Sequence, residues 1–128
     1  AATGFGALGY GPPAAIGAAI AAPGKTVVSL SGDGGFQFSL AELGSARDAQ
    51  TPVIFVVWNN NGYREIELSM RAVSVEPVGV SPAPPDFCAV AGAYGIGSRR
   101  LSGIGELPDA LREARATGQP FLIEIDVP

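Results

Sequence analysis

Apolar positions fall into two short unbroken runs and several spaced stripes. Residues 26–30 (T-V-V-S-L) and 53–58 (V-I-F-V-V-W) are β-branched, aromatic and contiguous, which predicts strands covered on both faces, the habit of a parallel sheet. Between them Ser39-Leu40-Ala41-Glu42 reads as a capping box, and Leu40, Leu43 and Ala46 continue at helical spacing to about Ala49, where Gln50-Thr51-Pro52 stops the helix. Ahead of the first run, Pro12 and Pro13 introduce the small-residue stretch 14–22, a closely packed helix ended by Pro23-Gly24. Residues 62–85 are irregular, with a short helix at 64–70 and four prolines after position 75. Asp86 then predicts an N-cap for a helix over 87–94 closed by Gly95, followed by a strand at 97–101. Leu107, Ala110, Leu111 and Ala114 form one helical face ended by Gly118, and Pro120 precedes a last strand over 121–127. The order predicts an α/β domain, an open and mainly parallel sheet with helices on both faces, spanning residues 1–128 as one unit.

Composition narrows the function more than the fold. The chain has 128 residues, 47% of them hydrophobic and 16% charged, enough apolar content for a buried core. Its net charge of −4, with no basic run longer than Arg99-Arg100, argues against a nucleic-acid or anionic-membrane surface. Cys88 is the single cysteine and histidine is absent, so any bound metal is expected to have oxygen ligands. No apolar stretch is long enough to span a bilayer and no basic leader opens the chain, which predicts a cytoplasmic protein. It starts without Met in a glycine-rich segment, and a piece of a longer polypeptide is expected.

The candidate chemistry lies where the two strand runs end. Gly32-Asp33-Gly34-Gly35 follows the first run and Asn59-Asn60-Asn61-Gly62 follows the second, and Asp33 and Asn60 are 27 positions apart. That distance suffices to leave a strand, run a helix back and complete the neighbouring parallel strand, so both clusters should reach the same sheet edge, where such sheets bind ligands. A carboxylate and a carboxamide beside bare glycine backbone suit a hard cation holding a phosphorylated ligand. Each cluster alone reads more readily as a turn, and it is their pairing that favours a site. A second glycine pattern, Gly4, Gly6 and Gly9, has the spacing of a dinucleotide fingerprint but lacks the preceding strand and the later acidic residue.

The pairing resembles the signature of thiamine diphosphate enzymes, G-D-G followed after 24 to 27 residues by N-N; here 24 residues separate Gly34 from Asn59. The likeness extends over nearly the whole chain, from Gly6-Ala7-Leu8-Gly9-Tyr10-Gly11 and Ala15-Ile16-Gly17-Ala18 to Pro85-Asp86-Phe87 and Glu124. It is similar to the C-terminal, diphosphate-binding domain of the 2-oxo acid decarboxylase and acetolactate synthase group. The resemblance implies that Asp33 and Asn60 give side-chain oxygens, and Gly62 its carbonyl, to Mg²⁺, and that Gly32, Gly34 and Gly35 offer backbone to the diphosphate. It also implies that Leu8 lies under the bent cofactor, that the Gly6 carbonyl accepts from its amino group, and that Tyr63, with Arg64 and Glu65, adjoins the cofactor and substrate.

As a resemblance it further implies that the essential Glu of this chemistry belongs to a separate pyrimidine-binding domain, usually from a second subunit of a homo-oligomer, since no residue here matches it. An isolated fragment is then expected to be inactive on 2-oxo acids. Glu65, Glu67 and the stretch 76–80 resemble decarboxylases of guanidino-type 2-oxo acids, where a carboxylate pairs with the guanidinium; solvated helix charges are the plainer alternative. Acetolactate synthase, whose relatives also bind a flavin mainly through another domain, is the rival within the group. Outside it stand a non-catalytic nucleotide or phosphate binder using the same loops, and an interaction module packing through the helix over 14–22.

Overall fold

The computed structural model describes residues 6–127 and has the element order α1 (Gly11–Ala21), β1 (Val27–Gly32), α2 (Asp33–Gln37), α3 (Glu42–Ala49), β2 (Val53–Asn59), α4 (Arg64–Ala72), α5 (Phe87–Ala93), β3 (Gly97–Leu101), α6 (Leu107–Thr117) and β4 (Phe121–Asp126). Among the described residues the strands form one sheet in the order β1-β2-β4-β3, and every pairing is parallel. Gly4, the first glycine of the rejected dinucleotide pattern, lies outside the described residues.

The sheet divides two apolar layers by the period-2 alternation of its strands. Phe55, Val57 and Leu122 point to one face, where Ile16 and Ala19 of α1, Leu43 and Ala46 of α3, and Phe87 and Ala91 of α5 cover them. Ile54, Val56, Ile123 and Ile125 point to the other, against Ala110 and Ala114 of α6. Helices therefore lie on both faces, as the strand and helix order predicts. β2 and β4, central in the sheet, are buried on both sides, which explains their unbroken apolar runs.

Three local expectations change. β1 is an edge strand: Val28 is 50% and Leu30 69% exposed, because α6 reaches across β2 and β4 but leaves this end of the second face open. The capping box at Ser39 does not form. Instead α2 begins at Asp33, the chain turns through Ser39, whose carbonyl accepts from Glu42 N–H at 3.0 Å, and α3 starts at Glu42 with Ala41 as its cap and no side-chain bond. Ser39 Oγ is buried without a partner. Packing, not capping, makes this choice: α2 carries Phe36 into the core, edge-on to Phe55 at 6.0 Å and to Phe87 at 5.8 Å. α1 also starts earlier than its alanine run, at Gly11, with the prolines inside the first turn, where a missing N–H costs nothing.

Other boundaries follow their sequence signals. Asp86 accepts from Ala89 N–H at 3.0 Å as the N-cap of α5, and Gly95 (φ 69°) and Gly118 (φ 62°) turn the chain in left-handed conformation after α5 and α6. Because Phe36 fixes α2, and α2 carries Asp33, its truncation should be costly twice over. Phe36→Ala is expected to destabilise the protein by about 3–5 kcal/mol in urea unfolding, with a loss below about 1 kcal/mol contradicting this packing role.

Candidate functional site

The parallel register sets the site. Gly32 pairs with Trp58, so β1 and β2 end level, and the residues that follow each strand emerge side by side at the carboxyl edge. Asp33, the first residue of α2, is 2% exposed, and its Oδ2 accepts from the Gly62 N–H at 3.0 Å. The Asn60 carboxamide ends 3.2 Å from Asp33 Oδ1 and 3.1 Å from the Gly62 carbonyl oxygen, close enough for its amide nitrogen to donate to both. Three groups named from sequence, Asp33, Asn60 and Gly62, are thus brought within hydrogen-bonding distance of one another. This oxygen-rich corner is where a hard cation could be held.

Glycine is required here by space. At Gly62 (φ 152°) a Cβ would stand 2.6 Å from the Val80 carbonyl oxygen, and the Tyr63 N–H donates to that same oxygen at 2.8 Å. The irregular segment after α4 is therefore part of the site's support. A Cβ on Gly34 would meet the Tyr63 ring at 2.5 Å, so the space that glycine leaves there is filled by Tyr63. A Cβ on Gly35 would be 3.5 Å from Leu8 Cδ2, which places the half-exposed Leu8 at the mouth of the site. Leu8, Asp33, Asn60, Tyr63, Arg64, Glu65 and Ile66 share a cavity of about 180 Å³ with Gly32, Gly34, Gly35 and Gly62 in its wall. A larger groove of about 610 Å³ runs from it past Gly6 along α1 and β1, with Leu8, Gly32 and Gly35 common to both. Gly6 (φ 65°) lines that groove and not the cavity.

The charges on α4 are not equivalent. Glu67 accepts from Arg64 at 2.8 Å and from Arg71 at 3.0 Å, and these bonds hold its carboxyl below the usual range. Arg64 also donates to the Asn60 carbonyl at 3.1 Å, so it braces the loop, and it lines the cavity as well. Glu65 is exposed and lines the cavity.

Sequence reasoning missed the support beneath the loop. Asn59, at the end of β2, is 5% exposed; its Nδ2 donates to Glu124 Oε1 at 2.8 Å, and its Oδ1 accepts from the Asn61 N–H at 3.2 Å. Glu124, 2% exposed on β4, accepts at Oε2 from Arg100 Nε at 3.0 Å, and Arg100 Nη2 lies at ion-pair distance, also 3.0 Å, from the same oxygen. Arg100 Nη2 bonds Asp86 Oδ1 as well, at 2.6 Å, and these carboxylates, Glu124 first, hold its guanidinium above the ordinary range. Asp86, Cys88 and Glu124 bring ligand atoms within 4.8 Å of one another, but Arg100 already neutralises that cluster. The signal available in sequence was Glu124 itself, a charge inside the apolar strand F-L-I-E-I-D, since a buried carboxylate requires a partner.

Comparison with known proteins adds the context. Residues 1–125 match the family described as thiamine pyrophosphate enzyme, C-terminal TPP binding domain. The chain is 40% identical over 124 residues to a probable 2-ketoarginine decarboxylase of Pseudomonas aeruginosa, covering 96% of this chain and 22% of that protein. It is 33% identical over 130 residues to a probable acetolactate synthase large subunit of Methanococcus aeolicus, covering 97% and 21%. Among solved structures, the thiamine diphosphate-dependent 4-hydroxybenzoylformate decarboxylase of Rhodococcus jostii RHA1 superposes with a TM-score of 0.87 at 30% identity, over 94% of this chain and 23% of that one. The chain spans about a fifth to a quarter of the length of these relatives. Gly62→Ala should displace the loop from Val80 and Asp33. A fall in thermal midpoint of several degrees is expected, roughly 2–4 kcal/mol of stability, and an unchanged midpoint would contradict the fit described.

Proposed function

The chain belongs to the family of thiamine pyrophosphate enzyme C-terminal TPP-binding domains, and from that premise we propose that it binds thiamine diphosphate through Mg²⁺ as part of a longer 2-oxo acid decarboxylase. The observation that carries the metal is the corner at Asp33. With the Asn60 amide turned so that its oxygen faces inward, that oxygen stands 3.2 Å from Asp33 Oδ1 and 3.1 Å from the Gly62 carbonyl. Those spacings approach the edge, about 3.0 Å, of an octahedron with bonds near 2.1 Å. With its nitrogen inward the Asn60 amide donates to both oxygens and satisfies the corner by itself, whereas a cation there draws the oxygen inward instead, and that all-oxygen set fits Mg²⁺.

In this reading Asp33, Asn60 and the Gly62 carbonyl hold the ion, and the backbone of Gly32, Gly34 and Gly35 faces the diphosphate. The adjoining groove, lined by Leu8 and Gly6, would take the rest of the cofactor, with Leu8 packing against it and the Gly6 carbonyl available to accept from its amino group. Tyr63, packed over Gly34, closes the far side. Bound thiamine diphosphate supplies an electron sink for the electrons left when a 2-oxo acid loses CO₂. The chain's own residues hold and orient it. The proton-transferring Glu is proposed to come from a pyrimidine-binding domain of a second subunit. The apolar surface left open on this domain, Ile66, Leu68 and Val73 of α4 and its end among it, supports such a neighbour.

For the substrate, a guanidino-type 2-oxo acid is favoured by the 40% identity to the Pseudomonas relative and by Glu65. Glu67 is engaged by two arginines of its own helix, whereas Glu65 lines the cavity and can accept a guanidinium. The acetolactate synthase relatives favour carboligation as a second reading, distinguished by whether pyruvate gives acetolactate or a free aldehyde.

Calorimetry on the full-length protein should show thiamine diphosphate binding that chelation of Mg²⁺ abolishes and Asp33→Ala removes; a preference for ATP with Mg²⁺ over thiamine diphosphate would overturn the assignment. Glu65→Gln should raise the KM for a guanidino 2-oxo acid about tenfold, one charge-assisted hydrogen bond, without changing that for a phenyl-bearing one. Equal effects on both substrates would remove Glu65 from recognition.

A further inference from the structure

The loop that presents Asn60 is held by a buried carboxylate that never reaches the cavity. We propose that Glu124 is a positioning residue for this loop, setting Mg²⁺ affinity through the Asn59 amide; the proposal rests on the magnesium reading above. A primary carboxamide can be placed either way round, and only its partners decide. Arg100 donates from Nε to Glu124 Oε2 and holds Nη2 at ion-pair distance from the same oxygen, leaving Oε1 as an acceptor toward Asn59. Asn59 must therefore turn its nitrogen to Glu124, which leaves Oδ1 to accept from the Asn61 N–H. That second bond matters because Asn61 has φ 60°, a left-handed conformation uncommon for a residue with a Cβ. The turn at Asn61 in turn brings Gly62 back so that its N–H meets Asp33 Oδ2 and its carbonyl faces Asn60.

The chain of contacts is continuous and anchored at both ends. β4 fixes Glu124 in register beside Val57, and Val127 N–H donates to the Asn59 carbonyl at 2.9 Å. On the far side Arg100 is tied to Asp86, the cap of α5. The side-chain chain Asp86, Arg100, Glu124, Asn59 thus links a helix start, β3, β4 and the end of β2 to the orientation of one loop. Partners of this kind, one step behind the ligands, commonly change metal affinity by about 10–100-fold when removed.

The test uses the full-length enzyme, with Mg²⁺ titrated calorimetrically in the presence of thiamine diphosphate. Glu124→Gln can donate as well as accept, so the Asn59 amide loses its single orientation. Asn59→Ala removes that amide. Each is expected to weaken Mg²⁺ binding about tenfold or more in protein whose circular dichroism is unchanged. The Glu124→Gln/Asn59→Ala double variant should lose no more than Asn59→Ala alone, because the first residue acts through the second. A purely structural role would leave Mg²⁺ affinity unmoved in folded variants, or give losses that multiply in the double variant, and either result overturns the proposal. Independently of any substitution, the Asn61 amide of the native enzyme should exchange with solvent at least about tenfold more slowly than an open amide; unprotected exchange overturns it too, even if the variants do not fold. Asp33→Ala serves as the control for the premise. If the native enzyme itself shows no Mg²⁺ dependence, the magnesium reading fails first and carries this proposal with it, a pattern distinct from intact native binding with unaffected Glu124 variants.

Discussion

The level ending of two parallel strands is the constraint on which the site depends. With Gly32 opposite Trp58, the crossover through α2 and α3 returns the chain so that a carboxylate after β1 and an amide after β2 face each other. One buried hydrogen bond, Gly62 N–H to Asp33 Oδ2, then locks the second loop against the first. A shift of the register by one residue would turn Phe55 and Val57 away from α1 and α3 and toward α6. The core therefore enforces the geometry of this corner, and the same residues that bury apolar area align Asp33 with the loop that carries Asn60 and Gly62.

Much of this was legible in the chain. Pro52 and the three asparagines bound β2, Asp86 and Gly95 bound α5, and the 27-residue interval from Asp33 to Asn60 placed both polar clusters on one edge. These signals are local or depend on a single crossover. What was hidden depends on contacts far apart in sequence. Nothing near Asp33 predicts helix in a glycine-rich turn; α2 exists because Phe36 finds Phe55 and Phe87. β1 looked doubly covered, since a hydrophobic run reports potential burial and not position in the sheet; α6 simply does not extend over Val28 and Leu30.

Asn59 and Asn60 show the same limit at the site. As letters they are interchangeable, but the first still belongs to β2 and is buried against Glu124, whereas the second has left the strand and meets Asp33. One amide holds the loop and the other is presented by it. Glu124 and Arg100, 24 residues apart in sequence, meet only once β3 and β4 have paired. Arg64 braces the loop and lines the cavity beside Glu65, whereas Glu67 is occupied by its own helix and stays out of it, so charges that read alike along α4 take different places.

The central claim is that Asp33, Asn60 and the Gly62 carbonyl converge on one divalent ion. Anomalous diffraction from crystals of the full-length enzyme grown with Mn²⁺ in place of Mg²⁺ and with thiamine diphosphate tests it most directly. The account predicts a single peak in this domain, about 2.1–2.3 Å from an oxygen of each of the three residues. A peak bonded elsewhere, or an Asn60 amide nitrogen still donating to Asp33 with cofactor bound, would contradict it.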